Sequence, residues 1–144
     1  MGLGSARYYK EYRQNEISTS SQGKLILMMY DGAIKNTKMA LNCLEKRDIP
    51  GRGMHLRKTR DIINELSLSL DQEKGQQVAK RLEDLYQFMM RQLTLANIKG
   101  ETKPVESVLD ILSTLREAWG QVIEKVNPDG SAKPDPVKSI KAHC

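Results

Sequence analysis

The sequence has few of the residues that build covalent or metal-dependent sites. It contains two cysteines, Cys43 and Cys144, which are distant from each other and form no CxxC pair. A disulfide framework is therefore excluded, and a reducing cytoplasmic location is expected. The two histidines, His55 and His143, belong to no HExxH motif and show no metal-ligand spacing. We expect no metal and no other cofactor.

Catalytic motifs are also missing, since neither GxSxG nor a glycine-rich phosphate loop occurs. Cys43 and His55 are the one conceivable nucleophile and base, but a catalytic site also needs a group that orients the base. No residue of the sequence is an evident candidate for that role, and Cys43 fits a small core position. We therefore expect a protein without enzymatic activity.

No apolar run is long enough to cross a bilayer. The longest, residues 25–30, is far shorter than the roughly 20 residues that a spanning helix requires, and no secretory signal precedes it. Residues 1–60 carry 12 Lys and Arg against 5 Asp and Glu, but these charges are scattered and no nucleic-acid-binding signature accompanies them. A solvated helical surface explains them best. We expect neither membrane insertion nor a nucleic-acid partner.

Proline positions and apolar periodicity predict four helices. Proline is costly inside a helix, and all five prolines lie outside the periodic segments. The predicted helices begin near Ser20 or Ser21 as a cap and cover residues 20–45, 54–70, 76–98 and 104–126. A turn is expected over 47–53, a break over 71–75 and a helix C-cap at Gly100. No strand pattern competes, so the fold class is all-α, an antiparallel up-down four-helix bundle with short loops.

The two ends differ from the predicted bundle over residues 20–126. Residues 1–19 are mostly polar, but Tyr9 and Tyr12 would share one side of a helical turn. They suggest a mobile lid segment packed on the bundle, and an ordinary tethered N-terminus is the alternative. The tail, residues 127–144, is rich in Pro and Gly and is expected to be disordered.

The predicted helices carry more apolar residues than one core stripe needs. A bundle helix requires about three apolar positions in seven. On the third helix the expected stripe is Val78, Leu82, Leu85, Met89, Leu93 and Ala96. Residues outside the stripes either widen the core or form an exposed patch of the kind that binds a partner. We select eight as candidates for a partner-binding groove: Leu27, Met28, Ile34, Tyr86, Met90, Leu95, Leu109 and Ile111. Gly32, inside the first helix, is expected to permit close helix packing.

Three stretches resemble the FliS family of flagellin-specific export chaperones. They are "YRQNEISTSSQGKLILMMYDGAI" at residues 12–34, "LSLDQEKGQQVAKRLEDLYQFMMRQLTLAN" at 68–97 and "LREAWGQV" at 115–122. Their order and spacing are compatible with the family over roughly residues 8–126.

The resemblance implies a helical bundle that binds the disordered C-terminal segment of flagellin in the cytoplasm, prevents its premature polymerisation and keeps it competent for type III export. It also implies an N-terminal segment near the groove, which suits Tyr9 and Tyr12 as lid residues, and we add Tyr8 and Ile17 to the candidate lid. A contact with the flagellar export gate is a competing hypothesis for that segment. The alternative is a regulatory or structural bundle that covers its apolar surface by self-association, as a homodimer when unbound.

Overall fold

The computed structural model describes residues 19–126 of the chain and the side chains of residues 22–125. This part forms four helices and contains no strand: α1 (Thr19–Glu45), α2 (Ile49–Leu68), α3 (Gln72–Lys99) and α4 (Lys103–Val126). Helices α1 and α3 each pack on both α2 and α4, so α1 and α3 form one diagonal of the bundle and α2 and α4 form the other. The predicted four-helix bundle is confirmed.

The start of the bundle differs slightly from the prediction. Ser20 and Ser21 lie within α1, which begins at Thr19, so neither serine is a cap. The predicted lid residues Tyr8, Tyr9, Tyr12 and Ile17, and the predicted disordered tail, lie outside the described residues and stay predictions.

The turn between α1 and α2 is shorter than the predicted turn over 47–53. Arg47 reverses the chain with a φ of 59°, and α2 begins directly after Asp48. Asp48 Oδ1 accepts a hydrogen bond from the backbone N–H of Gly51 at 3.1 Å and so caps the helix. Pro50 belongs to the first turn of α2, where its missing N–H would have no helical partner in any case. The predicted turn is wrong over residues 49–53, because these residues form the start of α2.

Helix α3 is irregular near its start. Asp71 caps the first turn by accepting a hydrogen bond from the N–H of Lys74 at 3.1 Å, and Gln76 then leaves helical geometry with φ 47° and ψ −119°. The break predicted over 71–75 is therefore wrong in its bounds, because the chain is non-helical over 69–71, α3 begins at Gln72, and Gln76 forms a kink inside it. Gly100 ends the helix with a φ of 68°, a left-handed conformation that suits glycine, which confirms the predicted C-cap.

One hydrophobic core runs along the bundle. Leu56, Ile63 and Leu66 on α2 are buried in it, as are Val108 and Leu112 on α4. The α3 stripe differs from the prediction because Val78 is 45% exposed and Leu85 is half-buried. The buried positions of α3 are Gly75, Ala79, Tyr86, Met89, Leu93 and Ala96.

Candidate functional site

Tyr86 lies in the core, whereas the sequence analysis selected it for a partner-binding surface outside the core. Its side chain is 1% exposed, and its hydroxyl is 2.5 Å from the hydroxyl of Tyr30 on α1. Burial of a hydroxyl without a hydrogen bond costs roughly 1–3 kcal/mol. The shared bond therefore explains how two polar rings occupy the interior, and it corrects the placement of Tyr86 on a surface face.

The other seven predicted groove residues lie at or near the surface. Met28 is exposed, Leu27, Leu95 and Leu109 are half-buried, and three are half-buried and pack against the core: Ile34, Met90 and Ile111. Gly32 is half-buried, and its carbonyl accepts a hydrogen bond from Asn36 Nδ2. Their binding and packing roles stay predictions.

Two adjoining depressions of about 500 and 400 Å³ lie between α2 and α3. They share Arg60, Thr94 and Ile98, and we call them together the α2/α3 groove. Met90 and Leu95, two of the predicted groove residues, belong to the apolar lining. The large apolar side chains on the walls are Ile49, Met54, Met90, Leu95 and Ile98. Ile49 is 62% exposed and Ile98 is 75% exposed. This surface is accessible and adjoins Leu56 and Leu93 of the core.

The positions of α2 and α3 around this groove are fixed at one end by a side-chain bond. Arg52 Nη2 on α2 donates a hydrogen bond to the carbonyl of Asn97 in the last turn of α3 at 2.9 Å. A cation at a helix C-terminus satisfies a carbonyl that has no helical partner and complements the negative end of the helix dipole. The bond therefore anchors the end of the groove that contains Ile49 and Ile98.

A third depression, of about 230 Å³, lies where α1 begins and α2 ends, and α4 contributes Trp119 to it. We call it the end pocket. Its rim includes Gln22, Ile26 and Leu68, and Tyr86 lines it from the core. Leu68 is largely exposed, so this pocket is a second apolar surface near the start of α1.

Cys43 and His55 do not form a nucleophile–base pair. The Cys43 thiol donates to Asp48 Oδ2 at 3.7 Å, whereas His55 Nδ1 is 3.0 Å from Asn36 Oδ1. Burial, with Asp48 adding, raises the pKa of the Cys43 thiol. A nucleophilic cysteine requires the thiolate, and this environment disfavours it.

Burial, with Lys58 adding, lowers the pKa of His55. Its neighbours form a polar contact between α1 and α2: Thr37 donates to the Ala33 carbonyl and Thr59 donates to the His55 carbonyl. Each threonine uses its one proton on its own helix, so the 3.4 Å approach of the two hydroxyls is a packing contact of buried polar groups.

Within residues 19–126, no group of three or more His, Cys, Asp or Glu residues is placed to hold a metal ion. No helix there has the length and apolar character that a membrane crossing requires.

Sequence reasoning missed the groove residues Ile49, Met54 and Ile98. The first two were assigned to a turn and a helix start, and Ile98 to a helix end. A usable signal was present, because Asp48 followed two residues later by Pro50 is an N-cap pattern with a first-turn proline. That pattern would have placed Ile49 at the first position of α2 and Met54 inside the helix instead of at its start.

Comparisons of the sequence with known proteins give a family model and several relatives. A family model described as "Flagellar protein FliS" matches residues 5–126. The "Flagellar secretion chaperone FliS" of Salmonella typhimurium is 35% identical over 125 residues, which cover 86% of this chain and 93% of that protein. The proteins of the same name from Bacillus subtilis and Vibrio cholerae are 31% and 33% identical. They cover 84% and 83% of this chain, and the matches span 90% and 88% of those proteins.

Proposed function

Since this chain belongs to the FliS family of flagellar proteins, we propose that it is a cytoplasmic export chaperone that binds the disordered C-terminal segment of flagellin. Binding prevents premature polymerisation of flagellin and keeps it competent for flagellar type III export. The name "flagellar secretion chaperone" that the relatives bear supports the proposal. The observation that carries it is the α2/α3 groove, where large apolar side chains are exposed beside a core that is already buried.

The physical basis is a helix-in-groove interaction. A segment that is disordered alone orders on the chaperone and lays an apolar face on the exposed side chains. Full burial of a side chain such as Ile98 contributes roughly 1.5–3 kcal/mol, and the ordering of the segment offsets part of that gain. We extend the proposed binding surface beyond the α2/α3 groove to seven of the residues selected from the sequence: Leu27, Met28, Ile34, Met90, Leu95, Leu109 and Ile111. Met90 and Leu95 line the groove itself, whereas Tyr86 is buried and lines the end pocket.

Titration calorimetry with the C-terminal segment of flagellin from the same organism tests this proposal. We expect saturable binding with a large negative heat-capacity change, because apolar surface is removed from water. Sedimentation of the free chain at the same concentrations shows whether it self-associates. A stable oligomer that leaves the segment unbound would contradict the proposal and favour a self-associating structural bundle.

We further propose that residues 8–17 act as a lid that competes with flagellin. Helix α1 begins at Thr19, and Gln22 on its first turns lines the end pocket, so the chain enters the bundle beside an exposed apolar surface. Deletion of residues 1–17 should tighten flagellin binding or raise its association rate. An unchanged affinity and rate would reject the lid, and a loss of export with unchanged affinity would favour contact with the export gate.

A further inference from the structure

Within residues 19–126, the charged residues that line the α2/α3 groove are all arginines. Arg57 and Arg60 lie on α2 and Arg91 lies on α3, and no acidic residue of that range lines either depression. We call these three residues the arginine rim. All three side chains are exposed, and none makes an ion pair or a side-chain hydrogen bond with another residue of the described range.

The nearby carboxylate is Asp61 on α2. Arg57 and Arg60 are close enough to stabilise its charge, yet burial outweighs them and raises the pKa of Asp61. Asp61 Oδ2 is buried and has no hydrogen-bond partner within the described residues. Because this carboxylate forms no ion pair with the rim, it leaves the guanidinium groups free to bind an outside anion. Guanidinium suits carboxylates well, since its N–H groups pair with both oxygens.

We propose that the α2/α3 groove selects a partner helix of about three turns in which aspartate or glutamate residues flank the apolar face. This rests on the proposed function and adds the chemistry of the segment that the groove recognises. From Gln87 to Ile98 the groove follows α3 for roughly 16 Å. A helix docked along it places its apolar stripe on Met90 and Ile98. Its flanking carboxylates then meet Arg57 and Arg60 on one wall and Arg91 on the other.

Charge and composition disfavour other occupants of this groove. A second copy related by a twofold axis would place one arginine rim against the other, and like charges repel across such an interface. A nucleic acid would meet the arginines but no stacking platform, because none of the aromatic residues that the structure describes lines the groove. The alternation of arginine with isoleucine, leucine and methionine fits an amphipathic acidic helix.

The test compares two triple variants that remove the same charge. One replaces the rim (Arg57→Gln, Arg60→Gln, Arg91→Gln), and the matched control replaces exposed lysines outside the groove (Lys35→Gln, Lys38→Gln, Lys103→Gln). The probe is the C-terminal flagellin segment, measured by stopped-flow and calorimetry at low and high salt. We expect the rim variant to bind about tenfold more weakly at low salt, mainly through a slower association rate, and to lose most of its salt dependence. The control should remain within about twofold of the unmodified chain.

A second arm uses the unmodified chain and a segment whose Asp and Glu residues are replaced by Asn and Gln. This segment should bind about as weakly to the unmodified chain as the native segment binds to the rim variant, and it needs no change to the protein fold. Equal affinities of rim variant and control for the native segment would overturn the inference while the proposed function stands. A rim-dependent affinity for an oligonucleotide, with segment binding unchanged, would overturn it in favour of nucleic acid. No binding of the native segment to the unmodified chain would overturn both proposals.

Discussion

The hydroxyl groups of Tyr30 and Tyr86 meet in the interior of the bundle at 2.5 Å. The two residues belong to α1 and α3, which lie on a diagonal of the bundle and not side by side. A bond across the diagonal is sensitive to the axial positions of both helices, because a shift of one residue moves a side chain by about 1.5 Å along the axis and turns it by about 100°. The tyrosine pair therefore favours one register of α3, the helix that carries Met90 and Ile98 to the groove.

Substitution of either tyrosine by phenylalanine should destabilise the fold. Each single change removes the shared bond, and we expect a loss of about 1 kcal/mol in the free energy of unfolding. The double change should cost less than the sum, because either single change already removes the bond between the two hydroxyls. Urea denaturation of the four proteins measures this coupling, and additive losses would show that the bond contributes nothing.

The tyrosine pair also shows why the sequence predicted the core of α3 only in part. The predicted and observed stripes share Met89, Leu93 and Ala96, and the predicted Leu82 is half-buried and packs against the core. They differ at Leu85 and Tyr86, where residue type alone favours leucine for the interior. The structure buries Tyr86 because α1 supplies a hydroxyl partner, and that partner is remote in sequence. Periodicity predicts which residues share a face, but it does not identify a tertiary hydrogen bond.

Replacement of Ile98 by aspartate should weaken flagellin binding and leave the fold intact. Ile98 is 75% exposed in the α2/α3 groove, so its removal changes the free energy of unfolding by roughly 0.5 kcal/mol or less. A buried charge at the docked interface should weaken affinity by more than about tenfold. Val78→Asp is the matched control, since Val78 is an exposed apolar residue of α3 outside the groove.

Calorimetry gives the affinities and thermal denaturation gives the stabilities of these two variants. Equal binding by both would place the docking surface elsewhere. Met90→Asp extends the test to a residue that the sequence alone selected. Because Met90 also packs against the core, its variant is informative only if its melting curve matches that of the control.

Acidification should destabilise the fold through His55. Burial lowers the pKa of His55 from its ordinary 6.5, Lys58 adds to the effect and Asp48 opposes it. The unfolded chain therefore binds a proton at a higher pH than the folded chain does. Stability is retained above the unfolded pKa and falls as the pH decreases below about 6.5, until the folded pKa is passed.

The measurement is the free energy of unfolding at pH 7.5 and 5.5 for the unmodified chain and for His55→Gln. The unmodified chain should lose more stability, by less than about 1.4 kcal/mol per pH unit. His143 is present in both proteins, so its titration cancels in the comparison. Equal losses would show that His55 carries no share of the pH dependence.

The start of α2 is the second element that the sequence did not predict correctly. Because of this error, part of the groove was not predicted either. Pro50, Gly51 and Gly53 are typical of a turn, whereas the actual reversal uses Arg47 in a left-handed conformation. Few non-glycine residues adopt that conformation, so composition did not indicate it. The exposed end of the groove was therefore not predicted, because Ile49 was assigned to the turn.

Asp48 should control both the stability of α2 and the reactivity of Cys43. Loss of the N-cap in Asp48→Ala should lower the free energy of unfolding by about 1 kcal/mol, whereas Asp48→Asn should keep most of the cap, because asparagine caps about as well as aspartate.

Both changes remove a negative charge near Cys43. Burial is the main cause of the raised pKa of the Cys43 thiol, and the charge of Asp48 is the second. Alkylation of Cys43 at pH 8, in a Cys144→Ser background, should therefore be faster in Asp48→Asn than in the parent although stability is nearly equal. If only the destabilised alanine variant reacts faster, local opening of α2 and not the thiol pKa controls the reactivity.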